Sequence, residues 1–261
     1  PFLVLNGDIF ADLSYAEISK RHKGEKAVAT IALHRVEDPS RYGVAELAED
    51  NRIKRFVEKP PRETAPTNLI NAGVYVLSPK IFDYLPVGRA VSIEREIFPR
   101  LADEGRLYGH GFEGLWMDMG KPEEYLQINR TLLNSFSDRQ KVKSWDKVEV
   151  MNPVAFDEGV SIGEKSVIGP YTILGRDVIV ENNVHIQGSV IFPKAAIGEF
   201  SSISGTIIGE GAIIGRKVKI KNGCILGDHA RIKDNVSLAN GVSVCPAKEI
   251  SESVLRAKCI V

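Results

Sequence analysis

Two aspartates, a lysine, a glutamate and an asparagine in the first half of the chain stand where chemistry could be done. Asp8 directly follows the apolar run Phe2-Leu3-Val4-Leu5 and the pair Asn6-Gly7. In open α/β sheets ligands bind beyond the carboxyl ends of strands, and a carboxylate there can hold Mg²⁺. Gly7 would let the backbone approach a ligand closely. The competing reading is a turn aspartate that caps the next segment. Asp118, in Trp116-Met117-Asp118-Met119-Gly120, repeats the setting and makes a divided metal site conceivable. Its alternative is an acidic neighbour of a helix start. Glu58-Lys59-Pro60 ends another apolar segment. A lysine there can meet a phosphate as a point charge, and a glutamate can accept hydrogen bonds from sugar hydroxyls. A solvated charge pair is the alternative. Asn71-Ala72-Gly73 could present an amide to a sugar, or could simply turn the chain.

The surrounding pattern supplies elements to carry these residues. Residues 2–5 read as a buried strand, 14–22 as a helix with Ser14 at its N-cap, and 27–33 as another buried strand. Residues 44–47 and 53–57 read as a hairpin around Asp50-Asn51, and 74–77 as a strand. Helices are expected over 78–85, 93–102 and 123–133, the last with Pro122 near its start. Strands alternating with helices predict an α/β domain with a largely parallel sheet over residues 1–134. The polar stretch 135–147 is the expected linker, and 148–261 the second domain.

That second domain is written in hexapeptides. An apolar residue recurs at Ile162, Ile168, Leu174, Val180, Ile186 and Phe192, then at Ile197 and Ile203. The ladder resumes at Ile208, Ile214, Ile220, Leu226, Ile232, Leu238 and Val244. A period of six suits neither a helix nor an alternating strand and predicts a left-handed parallel β-helix. Ladder residues fill the axis of a triangular prism. Small residues four places on (Ser166, Thr172, Val178, Val184, Val190, and later Ala212 to Val242) fit where the chain bends. Glycine after many ladder residues, as at Gly163, Gly169 and Gly175, is read as relieving the corner. The five-residue steps at 192→197 and 203→208 mark irregularities.

Composition excludes several classes. Lysine plus arginine and aspartate plus glutamate are each 34 in 261 residues, so bulk attraction to nucleic acid or to a membrane is not indicated. No apolar run is long enough to span a bilayer. Cys224, Cys245 and Cys259 lack metal-ligand spacing and fit a reduced, cytoplasmic protein.

Taken in order, Leu5-Asn6-Gly7-Asp8, Tyr42-Gly43-Val44, Val57-Glu58-Lys59-Pro60, Asn71-Ala72-Gly73-Val74-Tyr75 and Trp116-Met117-Asp118-Met119-Gly120 resemble the sugar-nucleotide pyrophosphorylases, as does the hexapeptide tail. The segments 92–99 and 116–122 look most like GDP-mannose pyrophosphorylases, the mannose-1-phosphate guanylyltransferases. The resemblance implies a Rossmann-like nucleotidyltransferase domain ahead of the β-helix. It implies catalytic Mg²⁺ held by Asp8 and Asp118, Lys59 on the sugar phosphate, Glu58 and Asn71 on sugar hydroxyls, and the Gly43 backbone lining the sugar pocket. It implies GTP and mannose 1-phosphate as substrates, and a homodimer or homotetramer built through the β-helix.

The resemblance also has a gap. The family's Gly-rich loop ending in Thr-Arg, and its Pro-Lys-Pro segment, do not occur in this sequence. The chain has no initiator methionine and opens on an apolar run, so it is expected to be an N-terminally truncated piece with little or no transfer activity alone. Other readings stay open: a glucose-1-phosphate thymidylyl- or uridylyltransferase, a bifunctional hexapeptide acyltransferase using His185 or His229, and a non-catalytic regulatory subunit of the kind found in the nucleotide-exchange complex of translation initiation.

Overall fold

The computed structural model describes residues 1–25, 27–136 and 145–261, which cluster into two units, 1–119 and 120–261. Of the expected linker 135–147, residues 137–144 lie outside the described residues.

In the first unit the strands β1 (Phe2–Leu5), β3 (Ala29–Arg35), β4 (Gly43–Leu47), β5 (Ile53–Glu58), β6 (Leu69–Leu77) and β7 (Leu107–Gly111) form one sheet. Its order is β5-β4-β6-β3-β7, with β1 also paired to β6. Only β3 and β7 run parallel, and the expectation of a largely parallel sheet is corrected to a mixed one. The reason is local. A hairpin joins β4 to β5, and β6 returns antiparallel to each of its neighbours.

Side chains alternate across this sheet with the period of two that a pleat imposes. Ile31, Leu33, Tyr75 and Leu77 face one core, where Phe98 packs edge-on against Phe56 and Tyr75 at 5.5 and 5.3 Å. Ala32, Ala72, Val74 and Val76 face the other core, beneath Ile18. Helix α1 (Tyr15–Gly24) covers that second face, and α2 (Phe98–Asp103) the first. The Ser14 hydroxyl caps α1 by accepting from the Glu17 amide. Buried His22 ties α1 to the sheet, with Nδ1 2.9 Å from Thr30 Oγ1 and Nε2 3.0 Å from Ser78 Oγ. The expected helix 93–102 begins as a π-turn, Ile93–Ile97, and 79–84 is a 3₁₀ turn. Strand β1 is not buried as expected. Phe2, Leu3 and Leu5 are 37, 39 and 49 % exposed, and of these four residues Val4 alone packs on the core.

The second unit holds α3 (Pro122–Phe136) and three parallel sheets of seven, six and six strands. Ile168 pairs with Ile186 and Ile208 with Leu226, so a full coil is three hexapeptides. Leu174 pairs with Ile191 and Ile191 with Ile208, so those coils are one residue shorter. The ladder therefore runs through Ile191, which is buried, and not through Phe192, which is 37 % exposed and stacks on Tyr125 of α3. The short steps fall at 186→191 and 203→208, where the corners carry Gly188 and Gly205 at φ 58° and 56°. The small buried residue of the first of these corners is Ser189, one place before the expected Val190.

Gly169, at φ 103°, does sit in a positive-φ bend, but the other glycines that follow ladder residues do something other than turn corners. A Cβ on Gly163 or Gly209 would stand 2.6 Å from a backbone nitrogen of the next coil, so these glycines let coils stack. The left-handed corner lies further on, and Lys165, Asp177, Asn183, Phe200, Lys217 and His229 occupy it at φ between 56° and 60°. Each non-glycine residue there accepts a left-handed conformation that costs about 1 kcal/mol or more. At the far end Cys259–Ile260 pairs with Ser243–Val244, so the tail continues the same prism.

Candidate functional site

Six segments of the first unit converge on one cleft of about 330 Å³. Asp8, Gly43, Glu58, Lys59, Asn71 and Asp118 all line it. Asn6, Arg41, Tyr42, Gly73, Glu94 and Trp116 line it as well.

The two aspartates meet through a ribbon too short to read from sequence. Strand β1 ends at Leu5, paired with Val74, and the Asn6 amide donates to the Gly73 carbonyl at 2.8 Å. Gly73 sits at φ 74°, and a Cβ there would press on Asn6 and Ile9. The chain turns at Gly7-Asp8 into β2 (Ile9–Ala11), which pairs antiparallel with β8 (Trp116–Asp118). Ile9 faces Asp118, and the Met119 amide donates to the Asp8 carbonyl at 2.7 Å. Asp8 and Asp118, remote in sequence, thus sit on adjoining rungs. Arg41 Nη2 lies 3.7 Å from Asp118 Oδ2 and its guanidinium rests over the Tyr42 ring.

The wall opposite comes from the β4–β5 hairpin. Gly43 pairs with Glu58, and the Lys59 amide donates to the Tyr42 carbonyl at 3.1 Å. Lys59 adopts φ 48°, a left-handed turn that ends β5 and leaves its side chain exposed. Tyr42 meets Trp116 edge-on at 5.2 Å, while Trp116 Nε1 donates to the Ala72 carbonyl at 3.1 Å. Burial pushes the Glu58 carboxyl above the ordinary glutamate value, the nearby charge of Glu94 adds to the rise, and Lys59 and Arg95 oppose it.

Asn71 is more engaged than a presented amide would be. Its Oδ1 accepts from the Gly73 amide at 3.0 Å, and its Nδ2 donates to the Tyr75 hydroxyl at 2.9 Å. Among the described residues the second N–H of this amide has no acceptor, which leaves it for a ligand. Burial drives the Tyr75 phenol up to about 12, so it stays protonated beside the cleft.

Sequence pattern alone does not mark Arg41 and Glu94 as site residues. Arg41 directly precedes the Tyr42-Gly43 motif, and Glu94 lies in the segment 92–99, so position beside a motif was the available signal. The histidines of the prism stand apart from this cleft's lining. His185 is exposed on a sheet and His229 occupies an exposed corner.

Two carboxylates on adjoining rungs suit Mg²⁺, which takes one or two protein carboxylates and fills its shell with phosphate oxygens and water. Among the described residues no group of three or more His, Cys, Asp or Glu gathers to cage a metal alone. No described helix is long and apolar enough to cross a membrane.

Residues 1–135 match the Nucleotidyl transferase family model, and residues 150–260 match that of the GMPPB C-terminal domain. The chain is 34 % identical to "Probable mannose-1-phosphate guanylyltransferase 1" of Oryza sativa subsp. japonica, over its whole length and 71 % of the relative's. It is 34 % identical, with the same coverage, to "Mannose-1-phosphate guanylyltransferase 1" of Arabidopsis thaliana. It is 40 % identical to "Mannose-1-phosphate guanylyltransferase catalytic subunit beta" of Xenopus tropicalis, over 97 % of this chain and 70 % of that one.

Proposed function

Because this chain belongs to the nucleotidyl transferase family, we propose that its cleft serves GDP-mannose synthesis, in which the GMP unit of GTP is joined to mannose 1-phosphate and pyrophosphate is released. The observation that carries this reading is the convergence of Asp8, Gly43, Glu58, Lys59, Asn71 and Asp118 on one cleft. The guanylyltransferase names of relatives that align with the whole chain supply the substrates.

A phosphate oxygen of the sugar attacks the α-phosphorus of the triphosphate in line. A new P–O bond forms, the bond to the β-phosphate oxygen breaks, and pyrophosphate leaves with the electron pair. Bringing two anions together is the main barrier, and fixed positive charge with alignment lowers it. Lys59 sets its ammonium beside the sugar phosphate. Glu58 and the remaining Asn71 N–H hold hydroxyls at the other end, against the bare backbone of Gly43. Trp116 and Tyr42 brace the wall between these groups. Asp8 and Asp118 would hold Mg²⁺, which when bound offsets charge on the reacting phosphates.

A reducing, cytoplasmic setting fits the three free thiols of Cys224, Cys245 and Cys259. Assembly into a homodimer or homotetramer through the flat prism faces fits the fold.

The test is pyrophosphate release by the full-length protein with Mg²⁺, across GTP, ATP, UTP and dTTP and across mannose and glucose 1-phosphates. Preference for GTP with mannose 1-phosphate is expected. Preference for another pair would replace the substrates, and no turnover with any pair would overturn the catalytic reading.

A further inference from the structure

We infer that Glu94 grips a sugar hydroxyl together with Glu58 and sets which epimer of the sugar phosphate this cleft accepts. The inference rests on the sugar-phosphate reading above and adds a residue to it.

The π-turn Ile93–Ile97 carries two glutamates with different fates. Glu96 is spent at the surface, where its Oε2 pairs with Arg89 Nη2 at 2.6 Å. Glu94 turns into the cleft that holds Glu58, Lys59 and Asn71. Ser92, the residue before the turn, steadies it: the Ser92 hydroxyl accepts from the Arg95 amide and donates to Glu94 Oε2 at 3.0 Å. Among the described residues Glu94 Oε1 accepts no hydrogen bond, so its lone pairs are available to a ligand.

Two half-buried carboxylates in one cleft repel each other: the Glu58 carboxyl is raised by its burial first and by the charge of Glu94 second. A ligand that donates hydrogen bonds offsets this, whereas a phosphate would worsen it. The cleft is therefore polar along its length. Hydroxyls belong between Glu58 and Glu94, and the phosphate belongs at Lys59 and the Asp8–Asp118 ribbon. Two carboxylate acceptors at fixed positions match one stereochemical arrangement of neighbouring hydroxyls. Mannose and glucose differ only in the direction of the C2 hydroxyl. A site built to bond a hydroxyl discriminates strongly against a substrate that leaves its polar groups unpaired.

The experiment compares wild-type full-length protein with Glu94→Gln, which keeps the volume and removes the charge. KM and kcat are measured for mannose 1-phosphate, glucose 1-phosphate and GTP, alongside the melting temperature. The KM for mannose 1-phosphate should rise about tenfold or more, and the mannose-to-glucose ratio of kcat/KM should fall by about tenfold or more. The KM for GTP should stay within about twofold, and melting within about 2 °C. A Ser92→Ala variant should move the same ratio in the same direction by less. An unchanged epimer ratio overturns the inference. So does a loss shared equally by GTP and both sugars and matched by a fall in melting temperature. Calorimetric binding of each sugar phosphate to wild type separates this failure from failure of the parent reading. If wild type binds and prefers a different sugar, the substrate reading falls, and Glu94→Gln must still erase that other preference. If wild type binds neither sugar phosphate, both readings fall.

Discussion

Gly43 and Glu58 face each other across the hairpin so closely that a Cβ on Gly43 would stand 2.8 Å from Glu58 Oε2, and 2.5 Å from Phe56 Cζ. Phe56 is buried against Phe98 and has little room to yield. Gly43→Ala should therefore displace the Glu58 carboxylate. We expect the KM for mannose 1-phosphate to rise about tenfold or more while the KM for GTP changes little. Overpacking should also lower stability by about 1–3 kcal/mol. Steady-state kinetics with chemical denaturation checks both, and unchanged sugar affinity would place Glu58 outside the sugar contacts.

The paired aspartates make a sharper claim. Asp8→Asn and Asp118→Asn keep the ribbon's backbone bonds, which run through the Asp8 carbonyl and the Met119 amide. Each should lower kcat by about a hundredfold or more and raise the Mg²⁺ concentration for half-maximal rate. The double variant should be little worse than the poorer single one, because groups that act as a unit are not additive. A double variant whose loss is the product of the singles would show that the two carboxylates act separately.

Much of this architecture is legible in the sequence, and the exceptions have physical causes. The hexapeptide ladder is readable because one side chain per strand must fill the axis, so its period survives any change at the surface. The frame slips at Ile191 and Phe192, since both are apolar and either satisfies the local pattern. Only the pairing of Ile191 with Leu174 and Ile208 selects the first. The aspartates are readable as strand-end carboxylates, but their adjacency depends on β2 and β8, each three residues long. Such short strands carry no usable period. Arg41 and Glu94 escape notice because a charged residue facing a cleft and one facing water look alike in sequence. The antiparallel return of β6 is likewise a tertiary choice that alternating strands and helices do not announce.

Glu58 should leave a signature in stability against pH. Its folded-state pKa is raised above the ordinary 4.5, by burial first and by Glu94 second. Between the unfolded and folded values the native state binds the extra proton, so stability falls as pH rises through that window. Stability from this group is fully present below the ordinary value and lost above the raised one. Glu58→Gln has no proton to lose. The stability of Glu58→Gln relative to wild type should therefore improve as pH rises above the ordinary glutamate value of 4.5, as read by urea midpoints. Glu94→Gln should shrink the effect by removing the neighbouring charge. A difference that stays flat with pH would mean that Glu58 titrates alike in both states.

The frame of the prism is tested by two neighbouring residues of similar hydrophobicity. Ile191 is 1 % exposed within the axial core, whereas Phe192 lies outside it and stacks on Tyr125. Ile191→Ala opens a cavity that adjacent coils cannot collapse into, because Leu174 and Ile208 are held in register on either side. It should cost about 2–5 kcal/mol, as buried isoleucine truncations do. Phe192→Ala removes a larger side chain but a half-wet one, and should cost about 1 kcal/mol, most of it the aromatic contact. Denaturation of the two variants side by side decides the matter. The smaller side chain must prove the more costly to lose, since the reverse order would return Phe192 to the ladder and move the five-residue step to 192→197.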